Sequence, residues 1–323
     1  MHILLLKTSS LGDVIHNLPV VSDLRRSFPA AGIDWCVEEN FADIPRLHPA
    51  VGEVIPIAIR RWRRQLGRFA TWHELRDFRQ RLRARTYDFV LDTQGLIKSA
   101  LVSRLAQGRR LGYSAEAARE SLAAHFYDDT FVIPRNVHAV QRNRWLAAAA
   151  FDYPVDLPLD YGISAPAMDA GWLPAGWLPV GPVAVLLTAT SRDDKLWDEG
   201  HWRALGRELS CNGVTTVLPA GNAHERERAE RIASAVAGAI VAPPLRLREL
   251  AALLARASVA IGVDTGLAHL AAALRVPVIA LYVATDPALT GVFGNGFVRN
   301  LGRAGTPPEP AAVIAAAERA LRQ

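Results

Sequence analysis

The chain has 323 residues, half of them apolar, with a formal net charge of +5 and a sequence pI near 9.5. That length and apolar share leave room for about two domains with sizeable cores and exclude a disordered chain. The two cysteines, Cys36 and Cys211, exclude a disulfide framework or a zinc-type spacing, and the basic balance points to an anionic partner: nucleic acid, acidic lipid or a phosphorylated substrate.

Met1-His2 runs straight into a strand, without the basic, apolar and small-residue succession of a secretory leader. No apolar run reaches the ~20 residues of a membrane span; the best candidate, 250–263, carries Arg256. The expectation is a soluble, cytoplasmic chain. Residues 2–6 read as a short buried parallel strand, and Val14, Leu18, Val21, Leu24 and Phe28 predict a helix over 13–28, perturbed at Pro19. Strands follow at 33–37 and 54–57, then a basic segment over 60–85 and a strand at 89–91 ending in Asp92-Thr93-Gln94-Gly95. A helix over 98–106, a short strand at 109–113 and an alanine-rich helix over 140–151 close the first half. Six prolines between 152 and 182 mark an interdomain linker. The second half restarts with strands at 183–187, 214–218, 259–263 and 278–282 and helices at 202–209, 224–236, 247–256 and 265–274. Such alternation predicts an α/β chain with mainly parallel sheets and right-handed crossovers. The boundaries drawn are 1–160, a linker over 161–182 and a second domain over 183–323, whose last helix is expected to return to the N-terminal domain.

Two strand-to-helix junctions stand out. Lys7-Thr8-Ser9-Ser10-Leu11-Gly12-Asp13 follows the first strand, and Val263-Asp264-Thr265-Gly266-Leu267-Ala268-His269 follows a late one. Free backbone N–H groups and the helix dipole make each a natural anion site, which suggests two domains facing across a cleft. Asp13, just past the strand, suits a general base and equally suits a helix cap. Thr188–Lys195 offers hydroxyls and a lysine to phosphate oxygens, or caps the next helix. Glu225 in Ala220-Gly221-Asn222-Ala223-His224-Glu225 suits a ribose diol or a first-turn dipole partner. Gly266 permits close backbone approach to a pyrophosphate, and His269 sits about one turn into its helix. Asp193-Asp194 has no second acidic cluster nearby, so no metal is expected. The Walker motif, a G-x-G-x-x-G after the first strand, the G-x-S-x-G elbow and H-E-x-x-H are all absent. Arg60-Arg61-Trp62-Arg63-Arg64, with Arg76, Arg79 and Arg83 on one helical face, reads as a solvated surface or a phosphorylated-lipid contact, with Trp62 and Trp72 suited to a membrane interface.

Five motifs in order resemble the lipopolysaccharide heptosyltransferases of glycosyltransferase family 9. They are Lys7–Val14, Ala58–Arg63, Asp92–Ala100, Thr190–Trp197 and Asp264–Leu270. The resemblance spans nearly the whole chain. It implies a GT-B fold of two Rossmann-like domains and an inverting transfer of L-glycero-D-manno-heptose from ADP-heptose to the first Kdo of Kdo-lipid A, on the cytosolic face of the inner membrane. It implies Asp13 as general base. Donor contacts would be Thr190, Ser191, Lys195, Glu225, Leu245, Asp264, Thr265, Gly266 and His269, and acceptor contacts Ser10, Gly12, Arg60, Arg61, Arg63, Gln94, Lys98 and Arg119. No cofactor or metal is required, no nucleic acid is a partner, membrane contact is peripheral, and a monomer is the default. The chain departs from the family pattern at Val283-Ala284-Thr285, where relatives often carry Gly-Pro-Thr, and at Pro219-Ala220-Gly221. Alternatives are a heptosylated acceptor for the same donor, a nicotinamide-dependent oxidoreductase and a nucleic-acid binder.

Overall fold

The structure, a computed structural model, describes residues 1–166, 177 and 180–323. Most of the proline-rich stretch assigned as linker, 167–176 with 178 and 179, lies outside the described residues. The chain divides into two units, Met1–Ile163 and Ser164–Gln323.

The first unit runs β1 (His2–Leu6), α1 (Leu11–Ile15), α2 (Leu18–Ser27), β2 (Gly32–Glu38), α3 (Asp43–Arg46), β3 (Val51–Ile57), α4 (Ile59–Arg64), α5 (Phe69–Arg83), β4 (Thr86–Asp92), α6 (Ile97–Ser103), β5 (Gln107–Tyr113), β6 (Asp129–Phe131) and α7 (Ala139–Phe151). Its strands form one parallel sheet in the order β3-β2-β1-β4-β5-β6, with Leu6 in register with both Cys36 and Asp92. β1 lies at the centre because Ile3, Leu4, Leu5 and Leu6 are fully buried on both faces of the sheet. Each such side chain contributes roughly 1.5–3 kcal/mol by leaving water.

The second unit runs β7 (Val183–Leu187), α8 (Glu199–Cys211), β8 (Thr215–Leu218), α9 (Ala223–Ala233), β9 (Ile240–Val241), α10 (Leu247–Ala255), β10 (Val259–Val263), α11 (Gly266–Ala273), β11 (Val278–Tyr282), β12 (Val298–Gly302) and α12 (Pro310–Leu321). Its parallel sheet has the order β12-β11-β10-β7-β8-β9. Numbered within each unit, the two sheets share one permutation, 3-2-1-4-5-6, the doubly wound Rossmann order. The strand order reverses between β1 and β4 in one unit and between β7 and β10 in the other. In open sheets of this order, ligands bind outside the carboxyl ends of the strands at that reversal.

Several expectations are corrected. The helix over 13–28 is two helices, because Pro19 lacks an N–H and sits in the first turn of a new one after Asn17. The basic segment over 60–85 folds into α4 and α5. β6, β9 and β12 were not foreseen: two are very short, and β12 (Val-Arg-Asn-Leu-Gly) is mostly polar and half exposed, so no period-2 signal exists to read. On α12, Val313, Ala316, Ala317 and Ala320 enter the core of the second unit, against α8, β10 and β11. That core is centred on Trp197 and Trp202, whose rings meet edge to face with centroids 5.0 Å apart.

Candidate functional site

In the first unit the loops after β1 and β4 are stitched together at the switch point. The Gln94 side-chain carbonyl accepts from the backbone N–H of Thr8 (3.0 Å) and Ser9 (3.2 Å). Lys7 Nζ donates to the Thr93 carbonyl (2.7 Å) and to Asn143 Oδ1 (3.3 Å), and Tyr113 donates to the same Asn143 oxygen (3.2 Å). Lys98 reaches Ser9 Oγ at 3.1 Å. Asp92 is fully buried and turns β4 into this loop, accepting from the N–H of Gln94 (2.8 Å) and from the Tyr127 hydroxyl (2.8 Å). Burial pushes its carboxyl up despite those donors.

Asp13 stands at this junction, in the first turn of α1. Its Oδ2 accepts from the Ser10 N–H at 3.0 Å, so the cap reading of Asp13 describes a real interaction. Its Oδ1 takes Arg119 Nη2 at 2.5 Å. Arg119 is carried there by the loop after β5, which closes over Gly95: the Glu120 N–H bonds the Gly95 carbonyl at 3.0 Å. Gly95 has φ +65°, and a Cβ there would come within 3.2 Å of the Tyr113 ring and 3.4 Å of the Arg119 nitrogen. A side chain at 95 would therefore be strained by its backbone conformation and press on the Tyr113 ring.

Burial by itself would raise the Asp13 carboxyl. The charges of Lys7 and Arg119, with the hydrogen bonds from Arg119 and the Ser10 N–H, outweigh it and hold the group well below the usual carboxylate range. Asp13 is thus ionised at every physiological pH. Burial in turn lowers the Lys7 ammonium to about 8, against the attraction of Asp13.

In the second unit the same switch point gathers a different set. Lys195 Nζ meets Asp264 Oδ2 at 2.7 Å, and the Thr285 hydroxyl donates to that oxygen at 2.8 Å. Thr190 Oγ1 donates to the Asp264 backbone carbonyl at 3.0 Å. The loops after β7, β10 and β11 thereby meet, and Thr265 caps α11 beside them, followed by Gly266. His269 is buried within α11. Glu225 lies after the neighbouring β8 and closes its own loop, accepting from the Gly221 N–H (2.7 Å) and from Asn222 Nδ2 (2.8 Å). Each carboxylate oxygen keeps a second acceptor position for a ligand. Leu245 follows β9, the next strand outward, and is half-buried, while Ser191 is exposed. In sheet order the row reads Thr285, Asp264, Thr190, Glu225, Leu245.

Not every predicted residue is free for a ligand. Arg61 is committed within the protein: it pairs with Glu39 at 3.0 Å and with Glu74 at 2.8 Å. Arg60 and Arg63 are exposed. Trp62, expected at a membrane interface, is a core residue, 7% exposed, and its indole donates to Glu74 at 2.7 Å. Ser10 and Gly12 flank Asp13 in the loop and first turn of α1. Sequence reasoning gave no role to Lys7, Asn143 or Thr285. A lysine closing a fully apolar strand was a signal for the first; the others come from distant segments and had none. A concavity between α8 and α12, lined by Leu205, Leu209, Ile314 and Leu321, sits at the amino ends of the strands and holds none of these groups. Among the described residues no three His, Cys, Asp or Glu side chains are grouped to hold a metal, and no helix is long and apolar enough to cross a membrane.

The family description Glycosyltransferase family 9 (heptosyltransferase) matches residues 75–309. Lipopolysaccharide heptosyltransferase 1 of Pseudomonas aeruginosa is 44% identical over 303 residues, covering 92% of this chain and 83% of that protein. The solved structure of E. coli heptosyltransferase WaaC with ADP superposes with a TM-score of 0.90 at 42% identity, over 99% of this chain and 100% of that one. WaaC with ADP-2-deoxy-2-fluoro heptose gives 0.85 at 39%, over 100% and 99%. The expected fold, two Rossmann-like parallel sheets of the GT-B kind, is borne out by these matches and by the strand orders.

Proposed function

We propose, on the premise that this chain belongs to glycosyltransferase family 9 and is a heptosyltransferase, that it moves L-glycero-D-manno-heptose from ADP-heptose to the first Kdo of Kdo-lipid A, in lipopolysaccharide inner-core synthesis. The observation that carries this reading is the likeness, along the full chain, to WaaC holding ADP-2-deoxy-2-fluoro heptose. The donor lies along the row of the second unit. Its ribose takes Glu225, its diphosphate takes Lys195, Thr190 and the start of α11, and its sugar reaches Asp264. As the glycosidic bond breaks, the diphosphate gains negative charge, and Lys195 with the α11 N–H groups stabilises it there. No step requires a metal or cofactor.

In the first unit Asp13 accepts the proton of the attacking acceptor hydroxyl. Its pairing with Arg119 makes it a weak base until an acceptor anion, the Kdo carboxylate or a lipid A phosphate, takes that arginine. Binding then frees the carboxylate and desolvates it, which raises its affinity for a proton at the moment it is needed. Arg60, Arg63 and Lys98 extend the acceptor contact, and Ser10, Gly12 and Gln94 shape the loop that receives it. The enzyme works at the cytosolic face of the inner membrane as a peripheral protein.

The test is turnover of ADP-heptose with Kdo-lipid A and with the heptosylated product as separate acceptors. Transfer to the first alone is expected; transfer only to the second places the chain with the enzymes that extend the core, and no transfer to either overturns the reading. A pH series probes Lys7. Its charge lowers the Asp13 carboxyl, so Lys7→Met removes a lowering influence and the carboxyl rises. The acid limb of kcat, which reports Asp13 in the complex once the acceptor has taken Arg119, therefore moves to higher pH in the variant. An acid limb at the wild-type position would show that Lys7 only supports the loop.

A further inference from the structure

We infer that the turn between α4 and α5, with the solvent face of α5, docks this chain on an anionic lipid surface by seating Phe69 and Trp72 in it. The inference rests on the lipid-acceptor reading above and adds the element that makes contact. α5 buries Thr71, Phe78 and Leu82 on the first unit's core. The opposite face, at helical spacing, carries Phe69, Trp72, Arg76, Arg79 and Arg83, all exposed. Phe69 is 88% exposed and Trp72 59%, with Leu66 at 52% beside them. Trp72 is not awaiting a partner inside the fold: its indole N–H donates to the Leu66 carbonyl at 3.0 Å, which fixes the ring outward on a rigid turn. The turn is also tied by Thr71 Oγ1 to the Gln65 carbonyl at 2.8 Å.

Charge selects the partner. Residues 60–85 hold ten arginines against Glu74 and Asp77, a formal +8, more than the +5 of the whole chain. Glu74 is spent on Arg61 and Trp62, which leaves Asp77 as the acid on the exposed side. Two exposed aromatic side chains on a helix face that also carries three exposed arginines match the interface of a bilayer with acidic headgroups. Position agrees with this. α4 starts directly after β3, at the same sheet end where Asp13 opens α1, because β1, β2 and β3 are parallel. A lipid acceptor can keep its acyl chains in the bilayer and still offer its sugar at that end.

The test is flotation of the full chain with phosphatidylcholine vesicles, with and without phosphatidylglycerol. Wild type floats with the anionic vesicles and is released by salt. Phe69→Ser with Trp72→Ser lowers the bound fraction by about tenfold or more. Arg76→Gln with Arg79→Gln lowers it about fivefold per charge on anionic vesicles only. Both variants keep wild-type turnover of a deacylated, water-soluble acceptor, and the aromatic one loses turnover of acceptor embedded in vesicles. Three results overturn the proposal: no flotation of wild type on anionic vesicles, equal flotation of the aromatic variant, or sedimentation showing that Phe69 and Trp72 instead hold two copies of this chain together. Transfer in detergent without flotation removes the docking element and leaves the reaction intact; flotation without transfer does the reverse.

Discussion

Asp13→Ala is expected to lower kcat by roughly 10²- to 10⁴-fold, the range by which a positioned general base accelerates proton transfer, and to leave ADP-heptose affinity unchanged. The split follows from where the residue sits. Asp13 belongs to the first unit's switch point, and every donor contact proposed belongs to the second. Asp13→Asn is the sharper variant. It keeps an oxygen for the Ser10 N–H and so keeps the α1 start, but it removes the charge that neutralises Lys7 and Arg119. If the carboxylate is only a cap, Asn restores turnover; if it is the base, Asn is as inactive as Ala. Near-wild-type kcat in both would falsify the base assignment. Stability also carries a sign. A carboxyl held low in the folded state contributes stability above its unfolded value near the usual carboxylate pKa, and that contribution is lost as pH falls through the folded value. Wild type and Asp13→Asn should therefore differ in thermal stability at neutral pH and converge in strong acid.

Lys195→Ala should weaken ADP-heptose binding by roughly 10- to 100-fold in calorimetry, in line with about 1.5–3 kcal/mol for a hydrogen bond to a charged group. The loss is twofold in origin. The cation proposed to meet the diphosphate disappears, and Asp264, its 2.7 Å partner, is left as an anion facing an anionic ligand. Lys195 and Asp264 are each about one-sixth exposed, 17% and 16%, so water screens that repulsion poorly. The double variant Lys195→Ala, Asp264→Ala should accordingly bind ADP better than Lys195→Ala alone, a coupling that a double-mutant cycle reads directly. Unchanged donor affinity in Lys195→Ala would exclude the phosphate role and leave the residue as a brace between the loops after β7 and β10.

Much of this was legible without coordinates. The uniformly apolar runs 2–6, 183–187, 259–263 and 278–282 are strands because a parallel strand covered on both faces needs no polar alternation. The helices drawn at 224–236 and 265–274 start within a residue of α9 and α11, because each follows directly on a strand and a short polar loop. β6 and β9 were invisible because two or three residues carry no period. Trp62 was misplaced because an amphipathic reading of a basic run does not say which tryptophan turns inward, and its indole found Glu74, twelve residues on.

The α/β class, the strand-to-helix junctions and the residue types standing at them can be read from the linear chain. Those are local properties, set by burial period, capping and the dipole within a few residues. Which junctions share a site depends on how the strands pair. Parallel pairing of β1 with β4, of β4 with β5 and of β7 with β10 brings Lys7 to Thr93, Arg119 to Asp13 and Lys195 to Asp264. Partners separated by 69 to 106 residues leave no periodic trace in the chain, so the electrostatics of both sites exist only once the sheets have formed.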